Sequence, residues 1–131
     1  MTYVPSIEQL VVEIVVERLP RSVQFYVDLG FQVQRAEEDF AELAWEEHRL
    51  FLVERSAFPD VSTWGPAPAF PCANVRVMVP DVDRHWAHVR ALNARVIHAV
   101  GDRSYGLRDF TIADPDGIGI RFASRLRHAL S

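Results

Sequence analysis

Three charged side chains interrupt apolar, strand-like segments of the sequence, and they are the first candidates for chemistry. Glu13, Arg76 and Arg121 each stand within a short run rich in valine, isoleucine or phenylalanine. Because side chains alternate between the two faces of a strand, each charged group lies on the face opposite its apolar neighbours. These groups either bind the polar part of a ligand or form an ion pair that satisfies itself.

Aromatic and acidic residues form a second group of candidates. Phe40, Glu42, Tyr105 and Asp109 fall on the polar faces of predicted middle strands, and Trp64 lies in a segment rich in proline. Aromatic rings and carboxylates together can bind a flat cation, because stacking and cation–π contacts tolerate varied ring shapes. The alternative is that Phe40 and Tyr105 pack in the core, whereas a tryptophan in a proline-rich segment needs a groove or a partner.

The remaining reactive side chains give weaker indications. His85 and His88 lie on a predicted helix, where a solvated face is the simpler interpretation, and His98 lies on a strand with uncertain parity and is kept as a candidate. The single cysteine, Cys72, cannot form an intramolecular disulfide and excludes a thiolate zinc site. The sequence shows no Ser-His-Asp order, glycine-rich phosphate loop or acidic pair typical of glycosidases.

Composition narrows the classes of protein to consider. The chain has 131 residues, 49% of them hydrophobic and 24% charged, which suffices for a packed domain. Its formal net charge of −4 argues against nucleic-acid binding and favours a neutral or cationic small molecule. No apolar run approaches the ~20 residues that cross a bilayer, and Met1–Glu8 lacks the pattern of a signal peptide. We therefore expect a cytoplasmic protein with neither nucleic-acid nor membrane partners.

The sequence contains an internal repeat with an offset of 63 residues. Each copy begins with a β-branched run, residues 10–16 or 75–79, and continues with apolar side chains at helical spacing. The first helix ends at Gly30 and the second at Asn93, the residue types that best tolerate a left-handed helix end. Five pairs share the offset: Val16 and Val79, Arg21 and Arg84, Leu29 and Leu92, Gly30 and Asn93, Val33 and Val96.

Three further strand candidates follow each helix. They are residues 32–35, 40–45 and 50–53 in the first half, and 95–100, 105–113 and 118–123 in the second. The sequence Asp114-Pro115-Asp116-Gly117 is a turn before the last strand, since proline fixes φ and glycine accepts a positive φ. The predicted organisation is one domain of two βαβββ modules, about 8–55 and 73–124, joined by a proline-rich linker at about 56–72.

Two βαβββ modules in a chain of this length resemble the vicinal oxygen chelate superfamily, which includes glyoxalase I, extradiol dioxygenases, and fosfomycin- and bleomycin-resistance proteins. The segment Ser22–Phe31 is similar to the family's S-x-x-FY-x-x-x-LGF helix, one residue shorter before Leu-Gly-Phe. The segment Tyr105–Gly117 is similar to its WG-x-R-x-F-x-x-x-DPDG hairpin. The resemblance implies an α+β fold with a cupped mixed sheet, helices on the outside, and a homodimer.

Enzymes of this superfamily usually hold a divalent metal with His and Glu side chains. The resemblance places those positions at Val11, Leu52, Asn74 and Arg121. Valine and leucine have no lone pair to offer, asparagine is a weak ligand, and a guanidinium repels a cation. A shift of two residues brings in Glu13 and Glu54 but also Arg76. We therefore expect neither a bound metal nor another cofactor.

The leading hypothesis is a metal-free binder of the bleomycin-resistance type that sequesters a flat natural product, including cationic ones, without covalent chemistry. Its predicted ligand-binding residues are Glu13, Phe40, Glu42, Trp64, Arg76, Tyr105, Asp109 and Arg121. Glu13 and Arg76 are one repeat apart, so they should face each other across an internal pseudo-twofold. Two alternatives stay open: a metal-dependent lyase, isomerase or dioxygenase with an atypical site, and metal-free chemistry in which Glu13 acts as a base beside Arg76.

Overall fold

The computed structural model describes residues 3–58, 60–66 and 73–126. The chain divides into two compact units, unit 1 (Met1–Ala67) and unit 2 (Pro68–Ser131). Each unit contains one four-stranded mixed sheet and one main helix between its first two strands. The predicted α+β fold of two tandem βαβββ modules is confirmed.

Unit 1 is built on a sheet with the strand order β1-β4-β3-β2. Its elements are α1 (Ser6–Gln9), β1 (Val12–Val16), α2 (Leu19–Leu29), β2 (Gln32–Ala36), β3 (Phe40–Trp45) and β4 (His48–Glu54). β1 runs parallel to β4, and the other neighbours are antiparallel. Alternation along the strands gives this sheet one buried face, with Ile14, Val16, Leu43, Leu50 and Leu52.

Unit 2 repeats this arrangement with the order β5-β8-β7-β6. Its elements are β5 (Asn74–Met78), α3 (Val82–Ala91), β6 (Arg95–Asp102), β7 (Leu107–Ala113) and β8 (Gly119–Arg125). Its buried face carries Phe110, Ile112, Ile120 and Phe122. α3 covers this face, since the Trp86 ring lies 5.2 Å from Phe110 and the His85 ring stacks on Phe122 at 5.2 Å. The expected solvated position is therefore wrong for His85, whereas His88 is exposed.

The two main helices end in the left-handed conformations that the repeat predicts. Gly30 has a φ of 121° and Asn93 a φ of 59°. The value at Gly30 lies outside the region that residues with a Cβ adopt, and a Cβ there would lie 3.1 Å from the Trp45 ring. Asn93 lies in the ordinary left-handed region, which asparagine tolerates. Both residues end a main helix with a positive φ, but only the larger φ at Gly30 requires glycine.

The last strand of each unit also supplies the cap at the start of its main helix. Glu54 accepts a hydrogen bond from the Leu19 backbone N–H at 3.1 Å. In unit 2, the Ser124 hydroxyl accepts one from the Val82 N–H at 2.9 Å. Each contact satisfies an N–H that has no partner within the helix.

Several predicted boundaries differ from the structure. β1 begins at Val12 and not at residue 10, and Val12 is 59% exposed although it shares the alternation of the buried Ile14 and Val16. Tyr105 lies in a turn and not in a strand, since β7 begins at Leu107. The turn needs Gly106, whose φ is 89°.

The predicted proline-rich linker contains short helical turns. The segments Arg55–Ala57 and Val61–Trp64 are 3₁₀ helices, while residues 59 and 67–72 lie outside the described part of the chain. Among the described helices, none is long and apolar enough to cross a membrane.

Candidate functional site

The face of the unit 2 sheet that α3 leaves uncovered, which we call its open face, carries a row of polar side chains. In register from the β5 edge to the β6 edge, the row contains Arg76, Arg121, Thr111 and His98. A cleft of about 320 Å³ lies on this face, lined by Asn74, His98, Arg103, Tyr105, Asp109, Thr111 and Arg121. Its volume is at the low end for small-molecule pockets, so the cleft suits a compact ligand.

Asp109 is the buried acid of this cleft. Only 3% of its surface is exposed. Arg103 donates from Nε to Oδ1 at 2.6 Å, and Arg121 donates from Nε to Oδ2 at 2.9 Å. The Tyr105 hydroxyl donates to Oδ2 at 2.8 Å. Three donors thus satisfy both oxygens of a carboxylate whose burial would otherwise be costly.

These contacts fix the protonation states of the acid and the phenol. Burial raises the pKa of Asp109, but the hydrogen bonds from Arg103, Tyr105 and Arg121 outweigh it and hold that pKa below its ordinary value. The hydrogen bond to Asp109 raises the pKa of Tyr105, because an ionised phenol could not donate it. Neither group titrates near neutral pH, so neither is suited to general acid–base catalysis.

The Tyr105 ring is held in place and still faces solvent. Its hydroxyl also accepts a hydrogen bond from Arg121 Nη2 at 3.3 Å, and the Arg121 guanidinium lies 5.4 Å from the ring centroid. The residue is 60% exposed. A fixed, exposed ring of this kind is a surface on which a flat ligand can stack.

Arg103 comes from the turn between β6 and β7. Its Nη2 donates to the backbone carbonyls of Ala99 at 2.7 Å and Asp109 at 3.1 Å. The guanidinium lies over Gly101, where a Cβ would come within 3.4 Å of Nη1. The arginine side chain therefore lies across β6 at Gly101 and reaches Asp109.

His98 borders the cleft, which answers the parity question that the sequence left open. The pairing of β6 with β7 shifts register between Val96 and His98, and again between His98 and Gly101. Each irregularity changes which face the next residue takes, so counting alternate residues along the sequence could not place this histidine.

The cleft carries an excess of positive charge. Its lining has Arg103 and Arg121 against Asp109, and Arg76 lies beside Arg121 in register. Among the described residues of unit 2, no carboxylate lies within ion-pair distance of Arg76. Arginine and tyrosine donors already occupy both oxygens of Asp109, and its role as counter-charge to a cationic ligand stays a prediction.

The open face of unit 1 is the face of its sheet opposite the buried Ile14 and Leu52. It holds Phe40 and Glu42 in a different arrangement. The Phe40 ring lies 5.0 Å from Phe51 and 4.9 Å from the Arg35 guanidinium. Glu42 accepts a hydrogen bond from Arg49 Nε at 3.1 Å and lies 3.7 Å from Arg35 Nε. The two aromatic rings pack on each other, and the acid is paired with arginines of its own unit.

The structure therefore brings some of the predicted residues together and leaves others apart. Arg76, Tyr105, Asp109 and Arg121 share the open face of unit 2. In unit 1, Glu13 pairs in register with Phe51, is exposed, and forms no ion pair with another described residue of that unit. Trp64 ends a 3₁₀ helix, is 61% exposed and lies 5.0 Å from the Phe58 ring. The predicted facing of Glu13 and Arg76 stays a prediction.

The positions that the resemblance assigns to metal ligands do not fit a metal. Leu52 is fully buried and pairs with Ile14 on the helix-covered face, so its place in the ligand set is wrong. Glu54 caps α2, as described above. Asn74 lines the cleft, but its neighbour there is the cation Arg121. Within the described residues, no group of three His, Cys, Asp or Glu side chains could hold a metal ion.

Sequence reasoning missed several residues of both open faces: Arg103 and Thr111 in unit 2, and Arg35, Arg49 and Phe51 in unit 1. A signal for Arg49 existed, because a hairpin centred on Glu46 and Glu47 places it diagonally opposite Glu42. Arg103 had no such signal, since it lies in a turn between two strands whose register is irregular.

Comparisons with known proteins agree with this architecture. The family model of the glyoxalase/bleomycin resistance protein/dioxygenase superfamily matches residues 7–122. No curated protein matches the sequence significantly.

Solved structures are similar over most of the chain. A glyoxalase/bleomycin resistance protein/dioxygenase family enzyme from Burkholderia phytofirmans PsJN has a TM-score of 0.79 and 18% identity, over 88% of this chain and 97% of that one. TioX from Micromonospora sp. ML1 has a TM-score of 0.68 and 22% identity, over 89% and 95%. A lactoylglutathione lyase from Agrobacterium tumefaciens has a TM-score of 0.71 and 19% identity, over 92% and 94%. At these identities the likeness shows the fold alone.

Proposed function

Because the chain belongs to the glyoxalase/bleomycin resistance protein/dioxygenase superfamily, whose fold serves several functions, we propose that it is a metal-independent protein that binds and sequesters a small molecule. Its structural neighbours include both a lactoylglutathione lyase and TioX. The choice between binding and catalysis therefore rests on the side chains of this chain, and above all on the open face of unit 2.

The observation that supports binding most strongly is the way Asp109 is engaged. Arg103, Tyr105 and Arg121 all donate to this one carboxylate, at 2.6 to 2.9 Å. An acid held in this way is neither an available metal ligand nor a base near neutral pH. It is suited to fixing the cleft walls before a ligand arrives, which lowers the entropy cost of binding.

The binding mechanism follows from the lining of the cleft. A compact, flat ligand stacks on the exposed Tyr105 ring and accepts or donates hydrogen bonds at Asn74, Thr111 and His98. No covalent step is involved, so each protein molecule retains one ligand molecule and the sequestration is stoichiometric. The cleft is too small to enclose a large natural product, so the ligand is compact or only part of it enters.

A titration of isotope-labelled protein with a set of compact aromatic compounds tests this proposal. We expect amide chemical shifts to change around the cleft, and Tyr105→Ala to weaken binding by about tenfold. Tyr3→Ala is the matched control, because Tyr3 is also an exposed tyrosine, at 79%, but lies in unit 1. Its affinity should equal that of the unchanged protein.

Metal dependence decides between this proposal and the chelate enzymes. Addition of EDTA should leave the dissociation constants unchanged, and the compounds should be recovered chemically intact. A bound compound that is consumed, or an affinity that EDTA abolishes, would contradict the proposal.

A further inference from the structure

Resting on the proposed binding function, we infer that the unit 2 cleft is an anion site for an aromatic carboxylate. The carboxylate of the ligand binds between Arg121 and Arg103, and its ring lies against Tyr105. This assigns the ligand a charge opposite to the one that the sequence alone favoured.

Hydrogen-bond donors remain available on both arginines. Arg121 uses Nε for Asp109 and Nη2 for Tyr105, while Arg103 uses Nε and Nη2 for Asp109 and Ala99. The Nη1 group of each arginine donates to no other described residue of unit 2. The two side chains are 30% and 21% exposed for Arg103 and Arg121, so a ligand can reach them. A planar carboxylate matches such guanidinium N–H groups in geometry and in charge.

Acceptors in the cleft are fewer than donors. Both oxygens of Asp109 are engaged, and the Tyr105 hydroxyl already accepts from Arg121. The remaining side-chain acceptors, on Thr111, Asn74 and His98, belong to groups that can equally donate. A ligand that brings acceptors is therefore better matched than a cation, which brings only donors.

The row of charges on the open face points the same way. Arg76 and Arg121 are direct partners in the β5–β8 register, and like charges directly opposite each other on neighbouring strands are unfavourable. Within unit 2, Asp109 is the one described acid that contacts the arginines of this face. A ligand anion would reduce the remaining repulsion between Arg76 and Arg121.

The aromatic part of the ligand follows from Tyr105. Its ring is 60% exposed, and the Arg121 guanidinium lies over one side of it with 5.4 Å between the guanidinium carbon and the ring centroid, which leaves the other side for a ligand. A carboxylate coplanar with its own ring can reach the arginine while that ring stacks on the tyrosine. A tetrahedral phosphate ester does not keep its acceptors in the plane of a ring.

Three probes with one ring system and different charge test the inference: 2-naphthoate, 2-naphthalenemethanol and 2-naphthylmethylammonium. Their dissociation constants are measured by calorimetry at low ionic strength, with inorganic phosphate as a fourth probe. We expect naphthoate to bind about tenfold more tightly than the alcohol, and the ammonium compound to bind least tightly. Phosphate should bind more weakly than naphthoate because it gains nothing from the ring.

Arg121→Gln should remove the preference for naphthoate over the alcohol. The matched control is Arg108→Gln, which loses the same charge from the same sheet, at a residue that pairs instead with Asp83 of α3 and with Asp102. The control should keep the preference. Because Arg121 also holds Asp109, a second variant, Arg76→Gln, leaves that contact intact and should weaken naphthoate alone by about threefold.

The outcomes separate this inference from the proposed function. If the alcohol or the ammonium compound binds as tightly as naphthoate, the anion site is wrong while small-molecule binding stands. If phosphate equals naphthoate, the aromatic part is wrong. If compounds of the wider aromatic set bind at the cleft but naphthoate does not, this inference alone fails, and if no compound of either set binds, both fail.

Discussion

The same two places on the open face hold an aromatic pair in unit 1 and an ion pair in unit 2. Phe51 is the register partner of Glu13 in unit 1. Arg121 is the register partner of Arg76, the residue one repeat after Glu13, in unit 2. Phe40 pairs with the residue two places after Phe51, and Asp109 pairs with the residue two places after Arg121. In unit 1 the pair makes an edge-to-face ring contact at 5.0 Å, and in unit 2 it makes a hydrogen-bonded ion pair at 2.9 Å.

The helix-covered faces have not diverged in this way. Ile14 and Val77, one repeat apart, are both buried, and so are Val16 and Val79. The buried face must match its helix in volume and shape, which restricts it to apolar residues. The open face has no such constraint, so it is the place where two copies of one module acquired different chemistry.

The largest expected effect is the loss of the acid in unit 2. Asp109→Ala leaves Arg103 and Arg121 facing each other without their shared partner, and we expect a loss of about 2–4 kcal/mol in the free energy of unfolding. The equivalent change in unit 1, Phe40→Ala, removes a half-buried ring and should cost about 1–2 kcal/mol. Urea denaturation of both variants measures the difference. Equal losses would mean that the ion pair is no more important to its unit than the ring pair.

The helix ends offer a second comparison of the two units. Gly30→Ala places a Cβ 3.1 Å from Trp45 at a φ of 121°, and we expect it to cost about 1–3 kcal/mol. Asn93→Ala, at a φ of 59°, should cost about 1 kcal/mol, because alanine can adopt the ordinary left-handed region with less strain. Thermal unfolding of the two variants tests the order. A larger loss at Asn93 would contradict the steric explanation for the glycine.

Acid should act on unit 2 through Asp109. The pKa of this carboxyl in the folded protein lies below the value of about 3.9 for an unfolded aspartate. Its contribution to stability is therefore complete above about pH 4 and is lost as the pH falls through the folded pKa. Asp109→Asn should lose less stability than the unchanged protein between about pH 5 and about pH 2. Parallel pH profiles of unfolding for the two proteins would contradict this.

The smallest expected effect concerns Glu13 and Arg76, the charged side chains on the first strand of each unit. Glu13→Gln and Arg76→Gln should each change the free energy of unfolding by less than about 0.5 kcal/mol, because both side chains are exposed. The sequence repeat predicts that the two groups face each other, which a double-mutant cycle would detect as a coupling of about 0.5 kcal/mol. Strictly additive effects would argue against that prediction.

Much of the frame could be predicted from alternation and helical spacing. The apolar alternation around Ile14, Val77 and Ile120 identified the buried faces, and Gly30 and Asn93 marked the helix ends. These features depend on one residue and its neighbours in sequence. The predicted homodimer and cytoplasmic location depend on properties outside one chain, and they stay predictions.

The site was harder to predict because it depends on register between strands. The contacts of Asp109 with Arg103 and Arg121 join residues on a turn and on another strand, and two irregularities in β6 conceal the face of His98. Leu52 was placed on the wrong face because the resemblance fixed its position by motif, whereas its pairing with Ile14 fixes its face. Residue types alone identified most of the charged groups, but only pairing showed which of them neutralise each other.

Elemental analysis of the protein, purified without chelators or a metal-binding tag, tests most directly whether unit 2 holds a ligand cleft and not a metal centre. With Asp109 committed to Arg103, Tyr105 and Arg121, we predict far less than one transition metal ion per chain. A content near one ion per chain that survives dialysis would contradict this, and His98, which lines the same cleft, would be the first ligand to examine.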